Sequence, residues 1–289
     1  MSSPAAVDTL KRDRPEWTPW LAVVEYALRE AASDRWDRAV PERPEAEGSD
    51  PLLSGASIVV DEAAVRRLLE RLIKVSSREG TPKMATLQRA VRREVDVAGL
   101  FAASICQDED RIAEAAATSI ADPEALQAVV ALVALPFLYA CTRRWGASVP
   151  QTWARGYCPV CGSWPAFAEL RGIERSRYLR CGRCGGEWHA HMLRCAYCAN
   201  TNHDDLASLV PEKVGSTGSV DACRRCHGYV KAFTRLQGCP PAAVMLEDLA
   251  SVDLDLAALA QGYTRRAGAG TPIDLTVVTT APRFFSWKS

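Results

Sequence analysis

Eight cysteines come in four pairs with two residues inside each: Cys158-Pro-Val-Cys161, Cys181-Gly-Arg-Cys184, Cys195-Ala-Tyr-Cys198 and Cys223-Arg-Arg-Cys226. Two intervening residues let one tight turn aim both sulfurs, and some of its backbone N–H groups, at a single ion. Two such turns complete a tetrahedral four-sulfur site. Nineteen residues separate the first pair from the second and twenty-four the third from the fourth, against about 15 to 20 in a four-cysteine ribbon. The simplest grouping is two sequential sites, Cys158, Cys161, Cys181 and Cys184, then Cys195, Cys198, Cys223 and Cys226. Each is closed, with no open position for a substrate. A cross-braced grouping, first pair with third and second with fourth, uses the same ligands and stays open.

Other chemistry fits the pattern less well. Disulfides within the pairs would close only short strained loops in an apolar-poor window. Thioredoxin-type dithiol exchange needs one pair at a strand-to-helix turn of an alternating α/β pattern, which the chain lacks. Tetrahedral thiolate sites accept zinc and mononuclear iron alike, and the Cys-Pro-x-Cys-Gly form of residues 158–162 occurs in rubredoxin knuckles and zinc ribbons. His189, His191, His203 and His227 are expected near the sites or on the surface, because eight sulfurs already complete two ligand sets. Cys106 and Cys141 read as small apolar residues in helices, and Cys239 as a loop residue. No phosphate loop, dinucleotide fingerprint or nucleophile elbow is present, and no catalytic residue is assigned.

Residues 151–240 carry twelve Lys and Arg against seven Asp and Glu. Eight thiolates with two divalent ions bring a net negative charge, so the excess of arginine is expected to compensate the metal sites rather than to mark nucleic acid. A nucleic-acid reading would instead require a continuous stripe through Arg171, Arg175, Arg177, Arg180 and Arg183. Over the whole chain, 35 basic and 35 acidic residues cancel.

The elements around the pairs divide by pattern. Thr18 and Pro19 start a helix. Residues 41–57, rich in Pro, Glu, Gly and Ser, read as a loop. From Asp61 the stripe Val65, Leu68, Leu69, Leu72 and Ile73 marks the clearest helix, stopped at Gly80. Thr81-Pro82, Asp108 and Asp122-Pro123 open three more, the last ending at Trp145-Gly146. The apolar run from Ala128 to Cys141 contains Pro136 and reads as a buried helix, short of a bilayer span. Pro241 to Gln261 forms an amphipathic helix with Leu246, Leu249, Val252 and Leu256 on one face. In the tail, only Ile273 to Val278 is strand-like, with no partner in sight.

At 289 residues, 48% hydrophobic and 24% charged, the chain is expected to be globular and larger than one domain. The expected fold class is α+β: a helical domain over 1–150, two small rubredoxin-like or zinc-ribbon-like metal domains over 151–193 and 194–240, and a C-terminal helix and tail over 241–289. No secretory or twin-arginine signal is visible, which leads to a cytoplasmic expectation.

One family shares these residues. Gly156-Tyr157-Cys158-Pro159-Val160-Cys161-Gly162-Ser163, then Arg177-Tyr178-Leu179 with Cys181, Cys184 and Glu187-Trp188-His189, then the last two pairs, and finally Glu247-Asp248-Leu249-Ala250-Ser251 through Leu254-Asp255 to Gly262-Tyr263, resemble the formate dehydrogenase accessory protein FdhE family. The resemblance covers about 156 to 265. It implies a cytoplasmic maturation protein that binds the catalytic subunit of formate dehydrogenase, with iron in two sites held by the eight paired cysteines and zinc as the other candidate. Partners implied are that subunit and at most a second copy of the chain, without nucleic acid or membrane insertion. A nucleic-acid-binding zinc ribbon and a rubredoxin-like redox carrier are the rival readings. Met192 stands where the family usually has Arg.

Overall fold

The computed structural model describes residues 3–42, 50–79, 82–87, 95–119, 122–211 and 217–280. The chain divides into two compact units, Met1–Thr9, Arg43–Ser54 and Cys141–Ile273, and Leu10–Glu42, Gly55–Ala140 and Asp274–Ser289.

The second unit is mainly helical. Its helices include Thr18–Ala31, Glu62–Glu79, Val97–Cys106, Glu109–Ser119 and Pro123–Val133. Thr18 is the first residue of its helix and caps nothing, and Val97–Cys106, expected to begin at Thr81-Pro82, starts at Asp96, whose side chain accepts from Gly99 N–H at 2.8 Å. Asp122 caps Pro123–Val133, accepting from the Ala125 N–H at 3.0 Å, and Asp108 accepts from Arg111 N–H at 3.0 Å. The stripe Val65, Leu68, Leu69, Leu72 and Ile73 is buried throughout, and Phe101 lies 6.0 Å from Trp36 and 5.7 Å from Phe137. Helix Ser3–Asp13, unread in the sequence, runs across the division between the units. Gly80 and Thr81 lie outside the described residues.

The apolar run is interrupted at Ala134, between Pro123–Val133 and Leu135–Trp145. Pro136 cannot donate a backbone hydrogen bond, and the Ser104 hydroxyl inserts into the ladder, donating to Val130 O at 2.6 Å and accepting from Ala134 N–H at 3.2 Å. Counted together, Pro123–Ser148 is long and apolar enough to cross a membrane, yet 78% of its apolar window is buried inside the protein.

The partner of the strand-like tail lies just after the segment read as a loop, in residues 57–61. Strand β1, Ser57–Asp61, pairs in parallel with β8, Thr276–Thr280, from Ser57 opposite Thr276 to Asp61 opposite Thr280. Ile58 and Val60 are buried and Val59 is exposed, the alternation of a half-buried strand.

The other unit is built on a six-stranded sheet in the order β4-β3-β2-β7-β6-β5. The strands are β2 Phe167–Arg171, β3 Ser176–Arg180, β4 Glu187–His189, β5 Leu206–Leu209, β6 Gly218–Cys223 and β7 Tyr229–Arg235. The order is a tandem repeat. Each half runs cysteine pair, two strands, cysteine pair, third strand, and the halves join through parallel pairing of β2 with β7. The two ribbons therefore share one continuous sheet.

The C-terminal amphipathic segment is two helices, Val244–Ala250 and Val252–Ala260. Ser251 leaves the helical conformation and its hydroxyl donates to Glu247 O at 2.8 Å. The break re-phases the chain, so Leu254 and Ala258 pack on Val220, Ala222 and Tyr229, while Leu256, expected on the buried face, is exposed.

Two charge networks fasten this sheet. Glu169 on β2 has no solvent exposure. It accepts from Arg171 Nε at 2.8 Å, Arg180 Nη1 at 2.9 Å and the Cys239 amide at 2.9 Å, and pairs with Arg235 on β7 at 3.1 Å. Arg171 also reaches Glu187 on β4 at 2.6 Å and Arg235 reaches Glu247 at 2.7 Å. The second network centres on Lys231, also unexposed, 2.7 Å from Asp248 and 2.8 Å from Asp255. Tyr229 Oη donates to Asp255 at 2.7 Å, and Arg265 pairs with Asp248 at 2.7 Å. These contacts give the Glu247-Asp248 and Asp255 positions their role, which is to fix the C-terminal helices on the sheet.

Burial alone would raise the Glu169 pKa, but the Cys239 amide, Arg180 and Arg171 hold it below the ordinary carboxylate value. Its contribution to stability is therefore present above the unfolded pKa, about 4.3, and is lost as pH falls through the folded value. Glu169→Gln leaves the guanidinium groups buried without their counter-charge and is expected to cost about 3–5 kcal/mol in urea unfolding near neutral pH. A loss below about 1 kcal/mol would remove the network from its central place.

Candidate metal centres

Each cysteine pair occupies the same turn. The N–H of the first cysteine donates to the carbonyl five residues on: Cys158 to Ser163 at 2.8 Å, and Cys181 to Gly186, Cys195 to Asn200 and Cys223 to Gly228 each at 2.9 Å. The residue after the second cysteine is left-handed in all four, Gly162, Gly185, Ala199 and His227, with φ between 54° and 71°. Glycine adopts that conformation freely, whereas Ala199 and His227 carry a strain of roughly 1–2 kcal/mol each.

The turns bring the sulfurs together in the sequential grouping. Cys158, Cys161, Cys181 and Cys184 form one cluster and Cys195, Cys198, Cys223 and Cys226 the other, all ligand atoms in each within 4.8 Å of one another. Sulfur separations are 3.5 Å for Cys158–Cys184 and Cys161–Cys181, 3.7 Å for Cys195–Cys226 and 3.8 Å for Cys198–Cys223. A tetrahedron of metal–sulfur bonds near 2.3 Å has edges of about 3.8 Å, and a disulfide needs about 2.05 Å. The separations fit a tetrahedral metal site, and all eleven cysteines are free thiols.

The electrostatics point the same way. In the first cluster burial pushes the Cys158 thiol up, while hydrogen bonds from Cys158, Cys181 and Cys184 bring Cys161 well down. In the second, burial raises Cys195. Burial also opposes ionisation of Cys223, but the amides of Cys226 and Arg225 bring it below the ordinary value. Burial thus opposes ionisation of Cys158 and Cys195, and a bound cation would favour the thiolate form of all four sulfurs in each cluster.

Neighbouring residues support the turns. Leu52 and Leu53, in the segment read as a polar loop, are buried and donate their N–H groups to Pro159 O at 2.8 Å and Val160 O at 3.2 Å. Arg183 donates to Ser163 Oγ at 3.4 Å, and Asn200 donates to Cys223 Sγ at 3.9 Å. The four histidines are exposed and lie outside both clusters. Cys239 lies in a loop, as expected, and is buried there, which pushes its thiol up to about 12.

The expected charge compensation by arginine is corrected. Arg171, Arg180 and Arg235 bind Glu169, and Arg177 binds Asp221 at 3.1 Å. These cations answer buried carboxylates, which sequence cannot pair with them, although a lone Glu in the apolar Phe167-Ala-Glu-Leu strand was a signal. Arg177 and Arg180 are 4% and 1% exposed, so the five arginines form no continuous surface stripe. Tyr178, Glu187, Trp188 and His189 are neighbours rather than ligands. Tyr178 lies under the Arg171 guanidinium at 4.3 Å and faces the His189 ring at 5.6 Å, Glu187 pairs with Arg171, and Trp188 Nε1 donates to Arg155 O at 3.1 Å.

The clusters differ in exposure. All four cysteines of the first are buried, whereas Cys198 and Cys226 of the second are half-exposed. On addition of chelator, or on acidification that protonates the sulfurs, native mass spectrometry is expected to show the second site emptying first, with Cys198 and Cys226 alkylated ahead of the first-site cysteines. Simultaneous loss of both ions would contradict it. Ala199→Gly is expected to stabilise the loaded protein by about 1 kcal/mol. Gly185→Ala, whose Cβ would stand 2.7 Å from Pro241 Cβ, is expected to lower the melting temperature; the reverse order would refute the strain assignment.

Comparison with known proteins falls on these residues. Residues 157–194 match the domain family described as FdhE, central domain, and 193–270 that described as FdhE, C-terminal domain. The FdhE homologue of Aquifex aeolicus is 34% identical over 119 residues, 40% of this chain and 41% of its own length. That of Pseudomonas aeruginosa is 36% identical over 128 residues, 42% and 40% of the two chains. FdhE of Escherichia coli is 33% identical over 113 residues, 38% and 36%. The chain thus spans about two-fifths of the length of the curated relatives it matches. The crystal structure of the FdhE protein from Pseudomonas aeruginosa aligns over 94% of both chains with a TM-score of 0.59 at 20% identity, a likeness of fold. Residues 157–270, which hold both cysteine clusters and the sheet between them, are thus similar to the central and C-terminal domains of FdhE.

Proposed function

We propose that the protein is a formate dehydrogenase accessory factor: a cytoplasmic, non-catalytic protein that binds the catalytic subunit of that enzyme and assists its assembly or activation. The observation that carries this reading is the consecutive match of the FdhE central and C-terminal domains over the residues that build the four-cysteine sheet. Each cluster holds one metal ion through its four thiolates, Cys158, Cys161, Cys181 and Cys184 in the first ribbon and Cys195, Cys198, Cys223 and Cys226 in the second. The family resemblance favours iron, and the same sulfur donors accept zinc.

The physical logic is that of a docking platform. Ribbons of this size bury too little surface to fold alone, and a structural metal contributes roughly 10–16 kcal/mol of apparent binding free energy. The result is a rigid surface whose sites are closed to substrate and so suited to recognition rather than turnover.

Anaerobic affinity capture from the native host, comparing wild type with Cys158→Ser/Cys161→Ser, tests this reading. Mass spectrometry is expected to identify the formate dehydrogenase catalytic subunit with wild type and not with the variant, and far-ultraviolet circular dichroism reports whether the variant remains folded. Capture of nucleic acid or of an unrelated oxidoreductase in place of that subunit would overturn it.

A further inference from the structure

Strand β1 is paired along one edge only. In its parallel pairing with β8, Ser57 lies opposite Thr276, and Thr276 N–H donates to Ala56 O at 2.9 Å. Alternate residues then meet β8, so the backbone groups of Ala56, Ile58 and Val60 face that strand and those of Ser57 and Val59 face away. The outward N–H and C=O groups make no hydrogen bond among the described residues. Ser57 to Val60 hold neither charge nor proline, the usual guards of a free edge, and Val59 is 52% exposed.

A cavity of about 650 Å³ follows this edge. Val59, Val60 and Asp61 line it and no residue of β8 does, so it lies on the side of β1 away from β8. Neighbouring residues of a strand show opposite faces, and a cavity that touches Val59 and Val60 together therefore meets the edge between those faces. The other walls are the 3-10 helix Asp34–Ala39, through Trp36 and Arg38, and the helices that carry Tyr26 and Leu68. Trp36 and Leu68 are buried, so that part of the wall is held by the core. All of these residues belong to the helical unit.

The charge of the lining is mixed but not balanced. Arg35, Arg38, Arg67 and Arg71 stand against Glu30 and Asp61. Glu30 pairs with Arg35, and Asp61 with Arg67 at 3.5 Å. Arg38 and Arg71 are exposed and make no ion pair or hydrogen bond among the described residues. Asp34 and Asp37 share the 3-10 helix with Arg38, and Glu70 precedes Arg71, but none of these three acids lines the cavity. Two guanidinium groups are thus left to meet negative charge from outside.

The geometry points to β1 as a docking edge for an extended acidic peptide, one strand of a protein partner, which pairs with the backbone groups of Ser57 and Val59 and sets its carboxylates against Arg38 and Arg71. In strand addition the main-chain bonds supply affinity and the side chains supply preference. A third strand would also complete a sheet that now has two, fewer than usually support themselves. A small anion would meet the arginines and leave the strand edge unused. Pairing of β1 with β1 of a second copy would bring the two arginine sets together, which like charge disfavours. The edge uses no residue of the four-cysteine sheet and does not depend on which enzyme the protein serves.

The test uses the full-length, metal-loaded protein and six-residue peptides of alternating threonine and valine, in which each inner position in turn is aspartate, alanine or lysine. By fluorescence anisotropy the best aspartate peptide is expected to bind at least about tenfold more tightly than its lysine counterpart, the scale of one hydrogen bond to a charged group. Hydrogen exchange at the Ser57 and Val59 amides is expected to slow when it binds. Arg38→Ala/Arg71→Ala is expected to remove the preference for aspartate. Val59→Pro is expected to abolish binding while β1 stays paired with β8, because the lost N–H faces away from β8. Melting temperature reports whether each variant remains folded. The proposal is overturned if no peptide binds, if aspartate and lysine peptides bind alike, if the Val59 amide stays unprotected in the complex, or if N-acetylaspartate binds as tightly as the peptide. Protection of Val59 that appears without peptide and rises with protein concentration would give the edge to a second copy and overturn it too.

Discussion

A carboxylate without access to water sits where the two halves of the sheet meet, and much of the metal unit is arranged around it. Glu169 lies on β2, the strand that joins the repeats through parallel pairing with β7. No hairpin enforces that junction. What specifies it is that Glu169 needs donors from both sides and finds Arg180 on β3, Arg235 on β7 and the Cys239 amide beyond β7. A one-residue slip would turn Glu169 to the opposite face of the sheet, away from those donors. Metal ions held by the two clusters would contribute more free energy, roughly 10–16 kcal/mol per structural ion against about 3–5 kcal/mol for breaking a buried ion network. The two would act on different things: ions on the closure of the turns, the carboxylate on how the turns are joined.

The repeat explains why the two sites are alike in form and unlike in exposure. Both use a turn whose residue after the second cysteine is left-handed, but the first site has glycine there twice, and the second has Ala199 and His227. Glycine lets neighbouring chain come close: a Cβ at Gly185 would meet Pro241, and one at Gly162 would stand 3.1 Å from Thr271 O. The first site is correspondingly covered, by the segments holding Pro241 and Thr271 and by Leu52 and Leu53 docked on Pro159 and Val160. The second is approached by Gly156 at Ala196 and by Thr264 at His227, and it leaves two sulfurs half-exposed.

Features with a local cause were legible in the sequence. The cysteine pairs are legible because a two-residue spacing constrains one turn, and the helix from Glu62 because its five apolar positions share one face. The sequential grouping followed from the same local logic, and the structure assembles it. Features with a remote cause were not. β1 is five residues long and the strand it pairs with lies near the other end of the chain, so no neighbouring periodicity supports it. The partition of arginines between thiolates and carboxylates depends on which strands are adjacent, which composition does not contain. Ser251 ends one helix and starts another without proline or glycine, and the apolar spacing across it reads as unbroken until Leu256 is found on the surface.

That partition of charge bears on recognition. Arg171, Arg177, Arg180, Lys231 and Arg235 are matched by Glu169, Glu187, Asp221, Glu247, Asp248 and Asp255, so the basic excess of residues 151–240 is largely consumed inside the fold. Removing any one of these cations would leave a desolvated carboxylate, which makes them structural before they are anything else. Arg155, Arg194, Arg224 and Arg225 are among the cations that pair with no carboxylate among the described residues. A sheet wired in this way spends much of its basic charge on carboxylates of its own, and a protein that docks on it is held by shape and apolar contact more than by long-range attraction.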